Sequence, residues 1–146
     1  MRAVLLAVVA GCAYRAGSFE SWGHDFAGRQ TTVGCLDLAI EPRLETASGP
    51  VLAYDFGNRC DRPVVLDLGS TSVIAKTGGG NLAMVPIDPR HEIRALPLDA
   101  RSVGAEAIAY RIDPPAAGVT AVCVDAASVV GDTPPDWQCF DRITRP

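Results

Sequence analysis

Lysine is almost missing from this chain: Lys76 is the only one in 146 residues, and 13 basic side chains face 17 acidic ones for a formal net charge of -4. Neutralising phosphates needs clustered Lys and Arg, so this balance excludes the electrostatic footprint of a nucleic-acid binder. Long apolar runs are missing too, since no window approaches the roughly 18 uninterrupted apolar residues of a spanning helix. Catalytic signatures are equally scarce. There are two histidines, no Gly-x-Ser-x-Gly turn, no phosphate-binding loop ending in Lys-Ser/Thr, and no D-x-D-x-D-G calcium loop. Disorder is excluded from the other side, because 48% of the residues are apolar and only 21% charged, material for one folded domain.

What is present first is an N-terminal signal. Residues 1–12 read MRAVLLAVVAGC: one arginine, an apolar run over residues 3–10, Gly11 and Cys12. A run of this length fits the apolar region of a secretory signal peptide and is too short to span a bilayer. The tetrad Val9-Ala10-Gly11-Cys12 resembles the lipobox of bacterial lipoproteins. The resemblance covers the first twelve residues. It implies a diacylglyceryl group on the Cys12 thiol, cleavage before Cys12, acylation of the new amine by a fatty acid such as palmitate, and a membrane anchor without a transmembrane helix. Ala13 follows in place of an acidic residue, which by the same resemblance implies sorting to the outer membrane.

The cysteine count agrees with that assignment. Of five cysteines, setting Cys12 aside leaves Cys35, Cys60, Cys123 and Cys139, an even set suited to two disulfides in an oxidising compartment. Three pairings are possible. The midpoint between Cys35 and Cys60 falls within the turn-forming residues 47–50, and that between Cys123 and Cys139 at Gly131. Facing positions of an antiparallel hairpin suit a disulfide, so the expected pairs are Cys35 with Cys60 and Cys123 with Cys139. A zinc site competes for the same four thiols, but no short C-x₂₋₄-C spacing occurs.

The body alternates short β-branched runs with turn clusters and shows no sustained helical period. Strands are expected over residues 32–41, 51–56, 63–68, 72–76, 82–88, 107–113, 119–125 and 137–140. In the first, Leu36, Leu38 and Ile40 are expected to face the core while Asp37 and Glu41 stay wet. Residues 89–103 fit either a strand as far as Pro97 or a crossover between sheets. Asn58, followed five residues on by Pro63 and the aliphatic Val64-Val65-Leu66, together with Leu96-Pro97-Leu98-Asp99 before an alternating segment, is similar to turns of the immunoglobulin-like domains found in bacterial lipoproteins. That likeness implies an all-β, antiparallel, immunoglobulin-like sandwich of seven to eight strands, and no activity.

The division is then residues 1–11 as cleaved signal peptide, 12–31 as lipidated N-terminus and short tether, and 32–146 as the sandwich. Phe19, Trp22 and Phe26 in the tether are candidates to fold back on the sheets. His24 beside Asp25 and His91 beside Glu92 invite a general-base reading, yet adjacent strand residues point to opposite faces. Asp61, Asp67, Asp88, Asp99, Asp113, Asp125, Asp132 and Asp136 could chelate calcium but sit where Asp is a good turn residue. Gly78-Gly79-Gly80-Asn81 reads as a hairpin turn, and Trp137 as core packing beside a disulfide. The sequence therefore predicts a lipid-anchored envelope protein with a structural or protein-binding domain, no catalytic residues and no cofactor. Its partners are the membrane and another envelope protein. The alternatives are a periplasmic hydrolase using His24 or His91, and an accessory subunit of an envelope complex.

Overall fold

A computed structural model describes residues 14, 19–21, 24–46, 49–88, 95–113 and 118–141. Twelve strands occur there: β1 (Glu20–Ser21), β2 (His24–Asp25), β3 (Arg29–Val33), β4 (Leu36–Thr46), β5 (Gly49–Asn58), β6 (Val64–Asp67), β7 (Val73–Thr77), β8 (Gly80–Pro86), β9 (Ala95–Leu98), β10 (Val103–Ile112), β11 (Val119–Asp125) and β12 (Trp137–Asp141). All pairings are antiparallel. The main sheet runs β12-β11-β7-β8-β10-β5-β4-β3, with β1-β2 and β6-β9 as separate two-stranded pairs. The protein is an all-β antiparallel sandwich.

The sandwich arises because one strand serves two sheets. In β10, Val103 to Ala109 pair with β5, whereas Tyr110 to Ile112 pair with β8. The sheet turns there, and its halves bury their inner faces against each other. The opposite flank is closed by side chains: the Thr31 hydroxyl donates to Asp136 Oδ2 at 2.9 Å, and the Arg29 guanidinium lies 5.4 Å from the Phe140 ring centroid. Both edge strands of the long sheet are thereby tied to each other, which blunts two edges otherwise open to pairing with another chain.

The inner faces follow the period of two. Leu36, Leu38 and Ile40 of β4 meet Leu52, Tyr54 and Phe56 of β5 in a single core that Val73, Val122 and Val124 complete from the other half. Burying each such side chain contributes about 1.5–3 kcal/mol. The β6-β9 pair and a 3₁₀ turn over Ala127–Val130 close the core with Leu66, Leu98 and Val129. At its centre Tyr54 and Tyr110, both fully buried, share a hydroxyl–hydroxyl bond of 2.8 Å. Loss of hydration disfavours both phenolates. It holds Tyr54 well above its usual value and pushes Tyr110 up to about 12 against the lowering effect of that bond.

Several expectations need correction. The expected strand over 32–41 is two strands, because Gly34 takes φ +58 and a tight turn at Gly34-Cys35 places Val33 opposite Leu36. Glycine enters that left-handed region without steric cost. Asp37, expected wet, is fully buried. Trp137 does not pack in the core and is 43% exposed. The alternation of β12 sends Phe140 inward against the core and leaves Trp137 on the face that carries Cys139. Residues 95–98 form a strand, as one of the two readings had it, but it pairs with β6 outside the main sheet. The Gly-rich segment is a hairpin turn, with Thr77 opposite Gly80.

Candidate functional site at the N-terminal dock

The feature with the densest polar chemistry lies on the outer face of β4 and β5, at the end of the sandwich where β4 begins and β5 finishes. The outward positions there are small or acidic: Asp37 and Ala39 on β4, with Ala53, Asp55 and Gly57 on β5. Nothing bulky from the strands covers them, yet Ala39 is fully buried and Asp55 only 8% exposed. The cover comes from before β3. Tyr14 and Phe26 pack on Ala39, joined by Phe19 and Val103, in a second apolar cluster distinct from the core. The rings contact one another, Tyr14 to Phe26 at 5.5 Å and Phe19 to Phe26 edge-on at 5.9 Å. The fold-back expected of Phe19 and Phe26 is thus present. Trp22 lies outside the described residues.

Tyr14 is held at three points. Its backbone N–H donates to the Arg101 carbonyl at 2.9 Å, from a residue that itself adopts φ +58. Its hydroxyl donates to Asp37 Oδ2 at 2.6 Å. Its ring lies on Gly57, where a Cβ would overlap the ring. Burial first, and the Asp37 carboxylate second, hold the Tyr14 phenol well above its usual value, so it remains a proton donor. Asp37 Oδ1 in turn accepts from the Thr32 hydroxyl at 2.8 Å and forms an ion pair with Arg59 Nε at 3.1 Å. Buried charge persists only where it is paired and hydrogen-bonded in this way.

Arg59 is positioned by the neighbouring chain crossings. The Cys35–Cys60 disulfide spans Cα atoms 5.5 Å apart, and between them Arg59 N–H donates to the Cys35 carbonyl at 2.8 Å. The guanidinium also reaches the Gly34 carbonyl at 3.0 Å. Asn58, fully buried, is the hub of this end. Its amide nitrogen lies 2.9–3.0 Å from the carbonyls of Arg62, Leu98 and Asp99, and its carbonyl oxygen accepts the Cys60 N–H at 2.8 Å. That is the physical content of the Asn58-to-Pro63 turn pattern: one amide ties the loop after β5 to the turn before β10.

The second disulfide, Cys123–Cys139, joins directly opposed residues of β11 and β12 with Cα atoms 4.0 Å apart. Of the remaining candidates, Cys12 lies outside the described residues, as does His91. His24 has its backbone in β2 opposite Ser21, and its side chain is outside the described part. The aspartates act in turns. Asp125 Oδ1 accepts the Ala127 and Asp136 N–H groups, Asp67 Oδ1 that of Ser70, and Asp61 pairs with Arg101 at 2.6 Å. Among the described residues no group of three or more His, Cys, Asp or Glu is placed to hold a metal ion. The one sequence signal of the dock is the set of small or acidic residues at the outward positions of β4 and β5. No family model, curated protein or solved structure matches this chain.

Proposed function

We propose that this chain is an exported lipoprotein, acylated at Cys12 and held on the outer membrane, whose disulfide-stapled sandwich is a structural or protein-binding domain. The observation that carries the reading is the accounting of thiols. Cys35 bonds Cys60 and Cys123 bonds Cys139, so no cysteine of the chain is left to pair with Cys12, the residue that ends the lipobox-like tetrad. Two disulfides also support an oxidising compartment. The exposed Val65 and Trp137 are apolar contacts available to a protein partner.

Intact-mass measurement of detergent-extracted protein tests this in one step. The expected species begins at Cys12, carries a diacylglyceryl group and an amide-linked acyl chain, and contains two oxidised cysteine pairs. A Cys12→Ser variant should lose all acyl mass and leave the membrane fraction. A full-length chain with Met1 in place and free thiols would defeat the reading.

A further inference from the structure

A single residue, Ala13, separates Cys12 from Tyr14, and Tyr14 is only 3% exposed and fastened to Arg101, Asp37 and Gly57. Consecutive Cα atoms are 3.8 Å apart, so an anchor two peptide steps before Tyr14 can reach no farther than about 7 Å from it. A free linker over residues 12–31 would instead allow an average span of about 25 Å. The difference decides how the domain meets its membrane. We propose that the mature protein has no working tether: the Tyr14 dock clamps one end of the sandwich, formed by the Gly34-Cys35 turn, the Arg59–Arg62 loop and the Asp99–Ser102 turn, directly against the lipid headgroups. This rests on acylation of Cys12.

The end in question has the chemistry for that position. Its charges balance, Arg59 with Asp37 and Arg101 with Asp61 as ion pairs and the exposed Arg62 and Asp99 one of each sign, so no excess of carboxylate opposes an anionic surface. Arg62 is exposed and makes no ion pair among the described residues, which leaves a guanidinium for lipid phosphate. The end is also stiff, because the Cys35–Cys60 bond and the Asn58 amide tie its three segments together. The register fixes what points away. Since β8 runs antiparallel to β10 with Met84 opposite Ile112, the Gly78-Gly79 tip of the β7–β8 hairpin lies past the C-terminal end of β10, remote from Val103. Orientation is thereby fixed by the fold, and the hairpin tip is presented to the aqueous side.

The test uses the full, lipidated protein in vesicles of phosphatidylethanolamine and phosphatidylglycerol that carry a nitroxide on a fraction of the headgroups. A fluorophore is attached to Asp99→Cys in one variant and to Gly79→Cys in another, both at exposed positions. Quenching at Asp99→Cys should exceed that at Gly79→Cys by roughly threefold, as expected for a site held within a few ångströms of the bilayer instead of a linker length away. Gly57→Ala, which displaces the Tyr14 ring, should bring the two values together. So should a Gly-Ser insertion of about 20 residues between Ala13 and Tyr14, which leaves the dock intact and restores a linker. Equal quenching at both positions in the membrane-bound parent overturns the orientation while leaving the anchor standing. Protein that stays in the aqueous phase with unmodified Cys12 overturns the anchor, and the orientation with it.

Discussion

The two outer faces of the sandwich have opposite fates. On the β3-β4-β5 half the outward residues Asp37, Ala39, Ala53 and Asp55 are buried, Ala39 beneath Tyr14 and Phe26, Asp37 against the Tyr14 hydroxyl and Asp55 against the Ala27 N–H. On the β7-β8 half the outward residues Lys76, Ala83 and Val85 meet water. Both faces read as the polar side of a half-buried sheet, and the difference lies in size and pairing. A face of Ala and Gly with aspartates leaves a shallow trough that aromatic rings can fill, and Asp37 supplies an acceptor inside it. A face with a long lysine side chain has no such trough. The covered face teaches that small residues at alternate strand positions mark a lid supplied from elsewhere in the chain.

The largest effect that would sharpen this contrast comes from alkali. All three tyrosines of the chain are shifted upward, Tyr14 under the lid and Tyr54 with Tyr110 in the core. Their native values lie above the unfolded value of 10.0, so the stabilisation from keeping them neutral is complete below pH 10 and is lost as pH rises through the native values, about 12 for Tyr110. Phenolate absorbance should therefore stay near zero around pH 10 and appear together with global unfolding. One tyrosine titrating alone near pH 10 would mean that the lid is looser than the core.

Next in size is Asp37→Ala, which strands Arg59 and removes the acceptor of Tyr14 and Thr32. It should cost about 3 kcal/mol in urea denaturation, the low end for breaking a buried ion pair because Arg59 remains 30% exposed. Gly57→Ala should cost about 2 kcal/mol by expelling the Tyr14 ring, seen as stronger hydrogen exchange at the Tyr14 amide. Tyr14→Phe, which keeps the ring and deletes its hydroxyl, should cost about 1 kcal/mol. On the bare face, Lys76→Ala should change stability by less than about 0.5 kcal/mol. A Lys76→Ala effect as large as that of Asp37→Ala would erase the distinction between the faces.

The Cys123–Cys139 pairing was legible because a hairpin centred on Gly131 leaves these residues directly opposite. Cys35 and Cys60 pair for a related reason, although the register places Leu36 opposite Asn58, so the bond closes the hairpin just past its last rung. The register shift between Arg43 and Thr46 is a local irregularity that symmetry about residues 47–50 does not anticipate. The split at Gly34 was hidden because a glycine within an alternating run reads equally as strand or turn. Tyr14 and Asp37 are 23 positions apart, and no local periodicity links a tyrosine near the terminus to an alternate-face aspartate. Closeness to Cys139 does not bring Trp137 into the core, because the two residues share the outward face of β12 and Phe140 takes the inward one.

Alternation of apolar residues, the spacing of turns and the parity of the cysteines determined by themselves that this chain is an antiparallel all-β domain with its strands near where they lie, because these signals act over a few residues. Which outer face is roofed, how β10 is shared between sheets, and how Asp37 comes to be buried among Tyr14, Thr32 and Arg59 were decided only by the tertiary structure. Burying a charge or a bare sheet face is favourable only once partners distant in sequence have been brought together.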